Sequence, residues 1–267
     1  MGRMLVWAAL LVGGCASGVS STGQIPPVTV EGARTSPNPL LGQLVLPPGS
    51  SLHPVVILLH GCGGIGSNQG LWADRLLGWG YGSLTLDSFT PRSTTSVCAA
   101  DRQRLVTRFD RAGDAIGAAR WLQSQPRVDG RRIAVLGNSH GGSTAETIAS
   151  KLFATAAQGQ IKAAIDYYGA CRDPAQYSGM PLLALAGDED TWGQPARTCT
   201  AFQHAIPANS PFELAVYPGA VHAFDNPNIQ RRRDQEGHPM QYSPDAAADS
   251  FVRVHTFLDR TIGPGLQ

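Results

Sequence analysis

RIAVLGNSHGGSTA, residues 132–145, decides how the rest of the chain is read. Ile133 to Leu136 is an unbroken apolar run, the pattern of a strand covered on both faces. It collapses into Gly137-Asn138-Ser139-His140-Gly141-Gly142, and a helical stretch begins at His140. A strand that reverses sharply into a helix strains the residue at its apex, and side chains flanking that apex collide. Glycines at 137 and 141 remove those side chains. The pattern predicts a strand–turn–helix with the Ser139 hydroxyl lifted clear of the sheet. The N–H groups and dipole of the following helix then face any negative charge that develops beside it.

Outward from this turn, apolar runs and helical spacings alternate. Leu40–Leu46, Pro54–His60, Tyr81–Asp87, Arg132–Leu136, Ile161–Tyr167, Pro181–Ala186 and Phe212–Tyr217 read as strands. Helices are predicted near 69–78, over about 99–123, from His140 onward, near 195–205 and over 245–262, the last with Phe251, Val254 and Phe257 on one side. This alternation predicts an α/β fold, a mostly parallel central sheet with helices on both faces in a single domain. Ligands in such sheets bind beyond the carboxyl ends of the strands. Residues 225–244 break the rhythm and read as a lid or mobile loop. The Arg231-Arg232-Arg233 run within it is either a solvated face or an attractor for an anionic substrate.

The 267 residues suit one large domain, and with 21 basic against 20 acidic residues the net charge is +1. That balance gives no electrostatic case for nucleic acid. Arg3 followed by the apolar stretch Met4–Val12, too short to span a bilayer, reads as a signal peptide over residues 1–15. Val12-Gly13-Gly14-Cys15 resembles a bacterial lipobox, which would make Cys15 a lipidated first residue and the protein a membrane-anchored or periplasmic lipoprotein. Simple cleavage nearby, for example after Ala16, is the alternative. Residues 16–38 are polar and Pro/Ser-rich, a tether, and 39–267 form the domain. In an oxidising compartment the remaining Cys62, Cys98, Cys171 and Cys199 can form disulfides by three pairings, of which Cys171–Cys199 with Cys62–Cys98 is the expected one. No ligand spacing suggests a metal, no cofactor is expected, and a monomer is expected.

A serine hydroxyl is a poor nucleophile until a base takes its proton. Strand–turn–helix nucleophiles of this kind are followed in the chain by an acid after one strand and a His after the last. Strand Pro181–Ala186 runs into Gly187-Asp188-Glu189-Asp190, and strand Phe212–Tyr217 into Pro218-Gly219-Ala220-Val221-His222. His222 is the candidate base. Among the acids the later position clears the strand end, which favours Asp190 over Asp188, with Asp166 further off. Two backbone N–H groups, of His140 and of Cys62 in the turn His60-Gly61-Cys62-Gly63-Gly64, are the candidate oxyanion donors. Ile65, Phe89, Arg92, Trp192 and Phe224 are candidate pocket walls.

With these residues assembled, the chain resembles the dienelactone hydrolase family of α/β-hydrolases, as an exported branch. The resemblance spans most of residues 40–263. It rests on LLHGCGG at 58–64, DSFTPR at 87–92, AARWLQSQP at 118–126, LGNSHGG at 136–142, GDEDTW at 187–192 and YPGAVHAFDNP at 217–227. It implies an α/β-hydrolase fold, a Gly-x-x-Asp acid that falls on Asp190, and hydrolysis of a small-molecule ester or lactone through an acyl-serine. Two departures stand out. Ser139 replaces the cysteine nucleophile of the type enzymes, and Ala223 to Asn226 hold no arginine where those enzymes bind a substrate carboxylate. A serine peptidase or amidase of the same fold and a non-catalytic envelope binding lipoprotein are the rival readings.

Overall fold

Val55–Leu59, Ile133–Leu136 and Ala163–Ile165 are fully buried apolar runs, and they meet at the centre of one sheet. In the computed structural model, which describes residues 18–266, this sheet has eight strands. They are β1 (Val19–Ile25), β2 (Leu40–Leu46), β3 (His53–Leu59), β4 (Gly82–Asp87), β5 (Val128–Asn138), β6 (Ala163–Tyr167), β7 (Leu182–Gly187) and β8 (Phe212–Tyr217). Their spatial order is β1-β2-β4-β3-β5-β6-β7-β8. Strands β3 to β8 run parallel, whereas β2 is antiparallel to both of its neighbours.

Alternate residues of a strand face opposite sides, and each side here has its own core. Val56, Leu58, Leu136 and Ile165 face α1 (Ser67–Gly78) and α6 (Pro244–Ile262), which contribute Trp72, Leu76, Val254 and Phe257. Val55, Ile57 and Val135 face the other helices, α2 (Arg108–Leu122), α3 (His140–Ile148), α4 (Lys151–Ala157) and α5 (Pro195–Ala205). The carboxyl ends of β3, β5, β7 and β8 deliver the turns that hold His60–Gly64, Ser139, Asp190 and His222 to one edge of the sheet.

Two local expectations need correction. Residues 19–25, inside the stretch expected to be a tether, form β1, paired in register with β2 from Val19 opposite Leu46 to Ile25 opposite Leu40. An edge strand keeps polar side chains in solvent, so Val-Ser-Ser-Thr-Gly-Gln-Ile carries no apolar alternation. Gly23 is needed there, because a Cβ would lie 2.8 Å from the Trp121 ring. Helix α2 starts at Arg108 rather than near 99. Asp110 N–H donates to Thr107 Oγ1, and Thr107 N–H donates to Asp110 Oδ2, a reciprocal cap that fixes the first turn. Residues 225–244 contain a hairpin of β9 (Arg233–Gln235) and β10 (His238–Met240).

Disulfides join Cys62 to Cys98 and Cys171 to Cys199. No helix among the described residues is long and apolar enough to cross a membrane. Residues 1–15, with the expected signal and Cys15, lie outside the described residues.

Asp166 at the end of β6 is buried between α3 and the Cys171–Cys199 bridge. Its Oδ1 accepts the Gly169 N–H at 2.7 Å, and its Oδ2 has no partner. Burial, reinforced by nearby Glu146, pushes its carboxyl up to about 7. A carboxyl raised in the folded state contributes stability that is full below pH 4 and is lost as pH rises through 7. Asp166→Asn, which cannot ionise, should therefore gain on the wild type by at least about 1 kcal/mol between pH 5 and pH 8. Urea unfolding at the two pH values checks this, and a difference that ignores pH would contradict it.

Candidate active site

The turn after β5 is built by backbone contact too close for any side chain. A Cβ on Gly137 would sit 1.9 Å from the Gly141 carbonyl oxygen, and one on Gly141 would sit 2.0 Å from the Leu59 carbonyl oxygen. The glycines thus let β5, β3 and the start of α3 touch. Ser139 stands at the apex with φ 57° and ψ −115°, in the left-handed half of backbone space that L residues rarely adopt. Its N–H donates to the Tyr167 carbonyl at 2.8 Å, which pins the apex to the end of β6.

Gly187 closes β7 in the same way, since a Cβ there would lie 2.1 Å from the Ala220 carbonyl oxygen. That contact brings the loop after β7 against the loop after β8. Across it, His222 Nδ1–H donates to Asp190 Oδ2 at 2.7 Å, with both residues buried. Asp190 Oδ1 accepts the Trp192 N–H at 2.8 Å, so both carboxylate oxygens are engaged. Asp188 does something else: its exposed carboxylate accepts the Gly219 N–H at 2.7 Å and braces the turn that leads to His222. The Glu189 side chain points to solvent. The His222 ring packs against Tyr168 and Trp192, with ring centroids 4.7 and 5.0 Å away.

Ser139, Cys62, Tyr168 and Trp192 line two adjoining cavities. The larger, about 240 Å³, is walled also by His222 and by Met240 of the hairpin. The smaller, about 120 Å³, is walled also by His140 and Arg172. Among the described residues, Ser139 Oγ makes no hydrogen bond to His222 or to any other protein group. Before a ligand closes a site, such bonds are often long. The turn after β3 reaches the same point, because a Cβ on Gly61 would lie 3.7 Å from the Ser139 Cβ. Neither the Cys62 N–H nor the His140 N–H is taken by a protein acceptor among the described residues. Two free donors beside a hydroxyl on the cavity wall can receive an oxyanion.

Of the candidate walls, Trp192 reaches the cavities, as does the oxyanion candidate Cys62. The others do not. Phe89 and Phe224 are fully buried, the first against His60 and the second among Tyr167, Tyr168 and Tyr217. Arg92 is locked in a two-pronged pair with Asp114 at 2.7 and 2.9 Å. Ile65 is half exposed on a separate groove over β2 and β4. In the triple-arginine run all three residues are exposed, and Arg233 borders the larger cavity.

Three residues at the site were missed from the sequence. Arg172 walls the smaller cavity, with its guanidinium donating to Ser143 Oγ and the Ala170 carbonyl, each at 3.0 Å. Asp225 is buried and accepts bonds from Tyr168 OH at 2.7 Å, Trp72 Nε1 at 2.9 Å and Asn68 Nδ2 at 3.2 Å, with Asn138 Nδ2 at 3.4 Å. It ties α1, the Ser139 turn and the His222 loop together. Burial, with Asp225 beside it, holds the Tyr168 phenol well above its usual range, so it remains a donor. Arg111 on α2 is the third, a basic residue buried on the same helix face as Ala115, Ala118 and Leu122.

Asp166, Cys171 and Cys199 form the one cluster of three metal-ligand types among the described residues. Both sulfurs are bonded to each other, so the set does not fit a metal.

The model of the dienelactone hydrolase family matches residues 41–262. No curated protein matches the chain. Among solved structures, a Klebsiella pneumoniae protein assigned as a dienelactone hydrolase superposes with a TM-score of 0.70 at 20% identity, covering 91% of this chain and 99% of its own. A dienelactone hydrolase-like promiscuous phosphotriesterase from metagenomic libraries gives 0.68 at 18%, over 92% and 100%. Esterase 2 of Thermogutta terrifontis, phosphorylated by paraoxon, gives 0.66 at 17%, over 93% and 96%. At these identities the likeness establishes the α/β-hydrolase fold.

The close contacts predict opposite outcomes for two glycines. Gly141→Ala forces a methyl into the Leu59 carbonyl and should lower stability by about 3 kcal/mol or more. Gly70→Ala, in α1 with nothing within 4 Å of the added carbon, should raise it by about 0.5–1 kcal/mol. Thermal unfolding of both variants tests the packing, and a well-tolerated Gly141→Ala would contradict it.

Proposed function

The chain belongs to the dienelactone hydrolase family, and from that premise we propose that it is a serine hydrolase that cleaves carboxylic esters, lactones included. The observation that carries this reading is the buried Asp190–His222 bond at 2.7 Å beside a strained serine that lines the same cavity. His222 Nε2 takes the Ser139 proton as Oγ attacks the ester carbonyl. Asp190 keeps Nδ1 protonated and stabilises the imidazolium. The N–H groups of Cys62 and His140 receive the oxyanion, each such donor being worth about 3 kcal/mol of barrier. The tetrahedral adduct collapses, His222 gives its proton to the departing alkoxide, and an acyl-Ser139 remains. Water activated by the same imidazole releases the acid and restores the serine.

The cavities favour small substrates, with the acyl or alcohol portion set against Trp192, Tyr168 and Met240. Arg172 and Arg233 supply positive charge at their walls, whereas Arg92, committed to Asp114, does not. We place the protein outside the cytoplasm, by a signal over residues 1–15 and a lipid on Cys15, followed by a short connection to a hydrolase domain that begins at β1. Two disulfides support that placement.

Labelling with a fluorophosphonate and hydrolysis of a panel of aryl esters, lactones and aminoacyl amides tests the assignment. Wild type should label once and cleave esters. Ser139→Ala should take up no label, and Asp190→Asn should lose about 10⁴-fold in kcat. Wild type that neither labels nor cleaves esters, or that prefers amides, would overturn it. A second outcome concerns the bridge behind the Cys62 turn. Cys98→Ala removes the Cys62–Cys98 disulfide and should lower kcat by about tenfold by loosening one oxyanion donor, with unchanged kcat contradicting that role.

A further inference from the structure

Arg111 is fully buried, and such a cation ordinarily lies against a carboxylate. Here the acids on its helix are taken, Asp114 by both prongs of Arg92 and Asp110 by Arg34. The bonds of Arg111 go to neutral acceptors instead. Nη2–H donates to the His60 carbonyl at 2.7 Å, and Nη1–H donates to His140 Nδ1 at 2.7 Å.

These two acceptors belong to the two segments that present the oxyanion donors. His60 leads directly into Gly61-Cys62, and His140 carries the other N–H on its own backbone. The imidazoles are wired to match. A guanidinium can only donate, so His140 Nδ1 accepts and its proton is on Nε2. His60 has the opposite tautomer: the Ser88 N–H approaches Nε2 at 3.5 Å, and Nδ1–H donates to the Gly61 carbonyl at 2.8 Å. That carbonyl belongs to the peptide whose nitrogen is the Cys62 donor, so the bond polarises the Cys62 N–H toward an anion. Burial first, and the Arg111 charge second, hold both imidazoles well below the ordinary histidine range. Burial lowers Arg111 itself to about 9, which leaves it charged at neutral pH.

We infer that Arg111 is a positioning residue for the oxyanion hole: one buried guanidinium, bonded to the His60 carbonyl and to the His140 ring, sets the spacing of the Cys62 and His140 donors. It also leaves a fixed positive charge on the far side of the donors from the carbonyl oxygen, where negative charge develops only in the transition state. The inference rests on the reading of Ser139 as the nucleophile.

The test uses the whole protein with both disulfides intact and compares wild type, Arg111→Lys and Arg111→Met. The readouts are kcat and KM on an aryl ester, the affinity of an alkyl boronic acid that forms a tetrahedral adduct with serine, and thermal unfolding. Arg111→Met should lose about 10- to 100-fold in kcat with KM within about threefold, and boronate affinity should fall by a similar factor. Arg111→Lys keeps the charge but not the fork and should fall between the two. An arginine that only packs α2 would lower the unfolding temperature without separating kcat from KM. Unchanged kcat in a folded variant, or a loss confined to KM, overturns the inference. If Arg111→Met does not fold, the lysine variant decides by the same criterion. Wild type that cleaves esters while its variants are unaffected sinks this inference alone, whereas wild type without ester hydrolysis or serine labelling sinks the nucleophile reading beneath it.

Discussion

The architecture of the site depends on the contact between the turn at Ser139 and the carboxyl end of β3. Backbone atoms of Gly141 and Leu59 lie so close that no Cβ fits between them. A parallel sheet brings strand ends into line, but strands with side chains keep their following loops apart. By removing those side chains the glycines let the start of α3 sit directly on the sheet edge. The serine is thereby forced to φ 57°, and its N–H is locked to the end of β6. The strain at the apex is held by the surrounding contacts rather than relieved, as is usual where a residue must be aimed.

A second close contact, Gly187 against Ala220, does the same for Asp190 and His222. It joins the loops after β7 and β8 so that Asp190 and His222 meet in a buried bond. Asp225 then binds this pair of loops to the serine turn through Asn138 and Tyr168. Buried carboxylates that are fully hydrogen-bonded rigidify what they touch. The result is a set of loops carried by the sheet and cross-braced by polar groups, with apolar packing underneath them on both faces.

Much of this was legible in the sequence, for identifiable reasons. Interior parallel strands are buried on both sides and read as unbroken apolar runs, so β3, β5, β6 and β7 stood out. The glycine turn around Ser139 was legible because only glycine tolerates such approach, and the placement of Asp190 and His222 because each follows a strand. Strand β1 was hidden because an edge strand can be polar. The start of α2 lies later than helical spacing suggests because the Thr107–Asp110 cap sets the first turn. Phe89 and Phe224 looked like pocket walls through proximity in sequence to the site, yet large aromatic rings are worth more in the core, and both are fully buried. Arg92 went to Asp114, a pairing between elements that no local pattern announces. Arg111 and Asp225 were missed because their roles come from what surrounds them in space.

The account stands or falls on covalent chemistry at one hydroxyl. Incubating the protein with a slowly deacylating aryl carbamate, quenching in acid and mapping the adduct by peptide mass spectrometry reads it directly. A single carbamoyl group on the peptide that contains Ser139, with equimolar release of phenol, is the result expected. Phenol released without any adduct, or an adduct on a different residue, would contradict it.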